Sequence, residues 1–232
     1  MGTLQRMLKN DIRTQVRPAK EGGLEQKRGR IAQSIRKQNC YRSAEAVFVT
    51  PGPRLTQVRM NALTDGKTLL CPGPGMREGF YLLRPFSLPF RKLTYAISTK
   101  GLQEYGTPVN CAANLAGLSV GLLIGDCLAL DADGLMIGDG NGFFDLSYAI
   151  LNTWNVLADR REVIAVVSRK DVLDVKVEAD KWDSFADRAV CEDGVIEFPG
   201  GGMHRASPEI YWQELSEKRI RKISPLWKLK SS

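Results

Sequence analysis

The chain predicts an α/β protein: a mixed, mostly parallel sheet flanked by helices. Three observations carry that expectation. Short apolar runs such as Ala44–Val49, Lys67–Cys71 and Glu162–Val167 alternate with amphipathic segments, the pattern of strands linked by crossover helices. The run Glu162-Val-Ile-Ala-Val-Val167 is strongly β-branched, as a buried strand prefers. Leu135-Met-Ile137 leads into glycines at 138, 140 and 142, and an amphipathic run follows. This is a strand, a glycine loop and a helix. Glycine lets the backbone turn sharply and come close to a ligand. The N–H groups opening the helix then favour an anion. In such sheets ligands sit beyond the carboxyl ends of the strands.

In chain order, residues 4–20 read as a helix, with Leu4, Met7, Leu8, Ile12 and Val16 at helical spacing. Lys9 and Arg13 are four apart and share one face, and Gly22-Gly23 ends the segment. A second basic helix is expected over 24–39, with a solvated charged face. A strand covers 44–49 and Pro51-Gly-Pro53 stops it. A helix follows from Arg54 to Leu63, then the turn Asp65-Gly66 and a buried strand over 67–71. Phe80–Leu83 reads as a further strand. Residues 84–115 show few periodic runs. Leu118–Leu130 suits one or two buried strands, flanked by Asp126 and Asp131 as loop residues. The helix after the glycine loop spans Phe143 to about Leu157. Short strands are expected over 187–191 and 195–198 around the turn Glu192-Asp-Gly194. Gly200-Gly-Gly202 marks a joint, His204 after it is expected to be exposed, and Ile210, Tyr211, Leu215 and Ile220 form an amphipathic tail helix. The expected organisation is one domain over 1–200, including basic helices within 4–39, and a basic tail over 201–232.

The net charge of +7 is unevenly placed. Residues 1–42 carry 11 Lys/Arg against 3 Asp/Glu, 43–217 carry 16 against 23, and 218–232 carry 6 bases and no acid. The body is acidic between basic ends. Those ends lack aromatic interleaving or a known motif, so nucleic acid is an unlikely partner. Five scattered cysteines and one histidine leave no material for a Cys/His zinc site and suggest a reducing compartment; Cys71 and Cys127 read as small buried apolar groups. The charged N-terminus has no apolar core segment, and Leu115–Gly125 is too short to span a bilayer. The expectation is a soluble cytoplasmic protein.

The order of these pieces resembles the 5-formyltetrahydrofolate cyclo-ligase (methenyltetrahydrofolate synthetase) family over roughly residues 5–198. The parts are Lys9…Arg13, Asp65-Gly-Lys-Thr-Leu-Leu-Cys-Pro72, Gly138-Asp-Gly-Asn-Gly-Phe-Phe-Asp145, and Trp182-Asp-Ser-Phe-Ala-Asp187 before Arg188–Cys191. Phe144-Asp-Leu-Ser-Tyr-Ala-Ile-Leu151 and the run Arg59…Lys67 are similar to a divergent branch, the methenyltetrahydrofolate synthetase domain-containing group. The resemblance implies a fold like the sugar-isomerase and CoA-transferase (NagB/RpiA) group. It also implies ATP with Mg²⁺, and conversion of 5-formyltetrahydrofolate to 5,10-methenyltetrahydrofolate. By resemblance Lys9, Arg13, Gly138, Gly140, Asn141 and Gly142 would hold phosphates. Phe143 or Phe144 would stand beside the pterin, and Asp183 near the metal. Arg54 stands at the strand end where the enzyme carries a Glu, and joins the substrate-binding set. The family also places Arg or Lys between the first two glycines, where this chain has Asp139. Its Tyr-Asp-Arg is Phe144-Asp145-Leu146 here, and the His of a late His-Asp pair is Trp182. The alternative expectation is a paralogue without cyclo-ligase activity that binds a folate, a nucleotide or another anionic metabolite.

Overall fold

The computed structural model describes residues 2–16, 24–199 and 208–231. Gly22-Gly23, Gly200–Gly202 and His204 lie outside them, as do the side chains of residues 2–8 and 24–27.

The elements run α1 (Gly2–Gln15), α2 (Leu24–Arg36), α3 (Asn39–Ser43), β1 (Ala46–Val49), α4 (Thr56–Thr64), β2 (Thr68–Pro72) and β3 (Phe80–Leu83). Then come α5 (Phe90–Ala96), α6 (Thr99–Tyr105), β4 (Thr107–Val109), β5 (Val120–Asp126), β6 (Ala129–Leu130) and β7 (Met136–Ile137). The chain continues through α7 (Phe143–Thr153), β8 (Leu157–Val166), β9 (Arg188–Cys191), β10 (Gly194–Glu197), α8 (Glu217–Lys222) and α9 (Ser224–Ser231).

Eight strands form one sheet in the order β10-β9-β8-β5-β1-β2-β3-β4. The five central strands are parallel and antiparallel strands close both edges. This is the expected mixed, mostly parallel sheet. Its central strands read as unbroken apolar runs because both faces are covered. On one face Val47, Val49, Leu69, Leu122 and Ile164 pack with α2 to α6. On the other, Phe48, Leu70, Leu123 and Val163 meet Leu146 and Ile150 of α7. Ile220, Ile223 and Leu226, from the C-terminal segment, join that second core.

Several differences from the sequence reading have physical causes. β8 begins five residues early because its first half is polar and only partly buried, so it carries no β-branched signal. Residues 84–115 hold two seven-residue helices and β4, too short for periodicity to show. The hydroxyl of Ser98 caps the second of these helices by accepting from the Gly101 N–H at 3.1 Å. Asp126 is the last residue of β5 and accepts the Thr50 hydroxyl at 2.8 Å. Asp131 lies in the loop after β6, as expected, but is a buried fastener. It is 1% exposed and accepts from the N–H groups of Asp133, Leu135 and Val177.

The stretch Arg59…Lys67 is also structural. Arg59 is buried and donates to the carbonyls of Thr50 and Gly52. Lys67 donates to Ala44 O at 2.6 Å. Asp65 accepts from Arg36 and from the Tyr41 hydroxyl. Burial pushes the Asp65 carboxyl up, but those bonds outweigh it and hold it below its usual range. All five cysteines are free. Burial pushes Cys71 up to about 12 and Cys191 to about 11, which leaves both as unreactive thiols.

Candidate functional site

The site forms beyond the carboxyl ends of β1 and β5, where β5 passes through the β6–β7 hairpin into α7. The hairpin packs Ala129, Leu135 and Ile137 against Ile12 of α1 and Val16 just after it. That contact carries α1 to the glycine loop. Arg13 then falls beside the loop, while Lys9, on the same helix face, meets Asp180 and Asp183.

Arg13 Nε donates to Gly138 O at 3.0 Å, and a Cβ placed on Gly140 would lie 3.7 Å from the guanidinium carbon. Gly140 and Gly142 hold φ of +91° and +61°, which side-chain-bearing residues rarely adopt. Asp139 turns inward on its own loop. Its carboxylate accepts Asn141 N at 2.9 Å and Asn141 Nδ2 at 2.7 Å. One loop amide is thus already satisfied by the anion that stands where the family carries a cation.

Lys9 is 4% exposed. Its ammonium donates to Asp180 at 2.9 Å and to Asp183. Asp183 also accepts the Asp180 N–H at 2.6 Å. Burial pushes the Asp183 carboxyl up, although Lys9 draws it back. The ammonium therefore lies between the two carboxylates. Among the described residues no three His, Cys, Asp or Glu side chains cluster to hold a metal.

Phe143 and Phe144 part company. Phe143 is 36% exposed beneath the Arg219 guanidinium, whose carbon lies 5.8 Å from the ring centroid. Phe144 turns into the core. It meets Phe48 and Tyr148 edge-on, and a Cβ on Gly125 would come within 2.6 Å of its ring. Asp145 stands in the first turn of α7, as a helix dipole favours. It also accepts the Ser184 N–H at 2.8 Å and so ties α7 to the 182–187 segment. Burial pushes its carboxyl up. Trp182 packs edge-on against Tyr211, ring centroids 6.3 Å apart. Arg54 stands apart. Its charge acts on Asp171 and Cys127, and it lines neither cleft beside the loop.

Two clefts flank the loop, of about 750 Å³ on the Phe143 side and about 220 Å³ on the Trp182 side. Arg219 borders both and donates to Asn141 O. The sequence reading missed Arg219, Lys218, Lys222 and Arg77. The three tail cations read as a solvated basic end, and only the burial of Ile220 and Ile223 turns that helix onto the loop. Spacing carries no signal for a contact 78 residues away.

The fold and loop define a class: an open α/β sheet whose glycine loop, with adjoining cations, lies at the strands' carboxyl ends. A profile of the 5-formyltetrahydrofolate cyclo-ligase family matches residues 3–192, and the chain belongs to that family. It is 28% identical over 188 residues to the methenyltetrahydrofolate synthase domain-containing protein of Danio rerio, covering 80% of this chain and 48% of that one. The human protein of the same name is 26% identical over 203 residues, covering 86% and 51%. The chain thus spans about half the length of the curated relatives it matches. The 5,10-methenyltetrahydrofolate synthetase of Aquifex aeolicus shares the fold at a TM-score of 0.55 and 17% identity, over 91% of this chain and all of that one. That of Mycoplasma pneumoniae aligns at 0.50 and 11%, over 81% and 98%. The fold is of the NagB/RpiA/CoA-transferase-like type, as the resemblance implied. Among the described residues no helix is long and apolar enough to cross a membrane.

Proposed function

We propose that this cyclo-ligase-like protein closes the ring of 5-formyltetrahydrofolate at the expense of ATP. In that reaction the γ-phosphoryl moves to the formyl oxygen. N10 attacks the activated carbon, the ring closes, and the oxygen leaves as phosphate. ADP and 5,10-methenyltetrahydrofolate are the products. The chemistry needs cations and backbone amides around the phosphoryl group. Family membership supports the reading, and one observation carries it: two guanidinium groups converge on the glycine loop, Arg13 at Gly138 and Arg219 at Asn141. Together they offset the negative charge of Asp139. In this reading Gly138, Gly140, Asn141 and Gly142 cradle the phosphates, and Phe143 lies beside the pterin. Asp183 is engaged by Lys9 and takes no metal role. Mg²⁺ would arrive on the nucleotide phosphates, as it commonly does, and no step is assigned to it. The compartment proposed is the cytoplasm.

A second reading has its own support. Lys9 is neutralised by Asp180 and Asp183, and Asp139 occupies a loop amide. Those two facts favour a paralogue that binds a folate, a nucleotide or another anionic metabolite without turning it over. One assay separates the readings. The protein is incubated with 5-formyltetrahydrofolate and MgATP, and the absorbance of methenyltetrahydrofolate is followed. Product formation that falls with Arg13→Gln supports the ligase. Absence of product, with a thermal shift by folate or ATP alone, supports the binding protein.

A further inference from the structure

The larger cleft has a wall that lies outside the family-matched residues. It opens between the turn over residues 74–78, the glycine loop and α8. Four cations line it, Arg77, Lys218, Arg219 and Lys222, against one carboxylate, Glu78. Three of the four come from the C-terminal segment, beyond residue 192, where the family match ends.

The cations are held in place rather than trailing in solvent. Ile220 and Ile223 anchor α8 in the core. The N–H of Ser224 donates to the backbone carbonyl of Arg77 at 3.0 Å, so the two walls are joined at one edge. Arg219 is pinned between Asn141 O and the Phe143 ring. Lys218 and Lys222 lie four apart on α8 and so share a face. Arg221, which does not line the cleft, lies over the Trp227 ring instead. Among the described residues Arg77, Lys218 and Lys222 make no ion pair, and Glu78 accepts the Tyr81 hydroxyl. Like charges gathered in a concave site repel one another and raise the local concentration of anions.

We propose that this cleft binds a small oligoanion, with two or more phosphate or carboxylate groups along one flexible chain. The four cations line opposite walls, so a single anionic group leaves some of them unmatched while a short chain of charges can satisfy both walls. The cleft's cationic wall belongs to the C-terminal segment of this chain, while Arg77, Asn141 and Phe143 come from the family-matched residues. It goes beyond the cyclo-ligase reading and holds whether or not the ring is closed.

The test titrates the full chain by calorimetry with two probes that lack both pterin and adenine: inorganic tripolyphosphate and tri-L-glutamate. At least one binds, and the tighter one identifies the source of the charge. Lys218→Glu with Lys222→Glu weakens that binding at least about tenfold, whereas Arg221→Glu with Lys228→Glu, the same charge change at side chains that do not line the cleft, changes it by less than about threefold. Lys218→Gln with Lys222→Gln falls between and guards against misfolding of the reversal. Three results overturn the proposal: neither probe binds, the cleft and control variants weaken binding equally, or Arg13→Gln abolishes binding that the lysine variants leave intact. Because neither probe can be cyclised, such a failure leaves the absorbance assay for turnover untouched, and the converse holds.

Discussion

Replacing Lys9 by Met removes the cation that pairs with both Asp180 and Asp183, and the cost follows from burial. Lys9 is 5% exposed at its side chain, Asp183 12% and Asp180 23%. The methionine keeps most of the apolar stem, so packing changes little, while both acids lose their counter-charge. Removing one partner of a buried pair costs about 3 kcal/mol, because the remaining charge stays desolvated. For a chain of this length that lowers Tm by roughly 6–12 °C. The loss depends on pH. Burial already pushes the folded Asp183 carboxyl up, and loss of Lys9 pushes it further. The charged carboxylate is then a liability at any pH above its folded value. The penalty shrinks as pH falls and the group binds a proton in the folded state. Urea unfolding of both proteins, followed by tryptophan fluorescence at pH 8 and pH 5, therefore shows a larger difference at pH 8. Adding Asp183→Asn to Lys9→Met recovers part of the loss. A Lys9→Met protein within about 1 kcal/mol of the parent at pH 8, or equally destabilised at both pH values, would refute the reasoning. It would mark Lys9 as a cation free to serve a ligand.

Three further outcomes are expected. Asp145→Asn removes a buried carboxyl that burial pushes up; the parent loses stability as pH rises from the usual carboxylate range through that raised value, so thermal melts favour the variant more at pH 7.5 than at pH 4. Gly125→Ala sets a methyl 2.6 Å from the Phe144 ring and costs about 2 kcal/mol by overpacking, read by chemical denaturation. Leu226→Ala, at a side chain with no exposure, costs about 3 kcal/mol in the same assay, whereas a tail that merely trailed in solvent would cost nothing.

Strands were legible to within two residues at β1, β2, β3, β9 and β10. The unbroken apolar runs of β1, β2 and β3 reflect burial on both faces, and turn residues such as Pro51-Gly-Pro53 bound them. The positions of Gly138, Gly140 and Gly142 were legible for the same kind of reason, since positive φ at two of them excludes most other residues. Lys9 and Arg13 were legible as a pair on one face. Their fates were not. Arg13 meets the loop backbone, while Lys9 is drawn between acids more than 170 residues away.

What the sequence by itself determined, then, was the sheet, the family and the loop that opens α7. These follow from local patterns of burial and backbone conformation. The tertiary structure decided which charges face that loop. Asp139 folds back on Asn141, Phe144 leaves Phe143 alone at the surface, and Arg219 arrives from a helix that reads locally as a solvated basic end. Each depends on contacts between residues distant in sequence. The apolar anchors Ile220, Ile223 and Leu226 bring the tail cations to the cleft, because burying those three side chains sets where the charged face of α8 points.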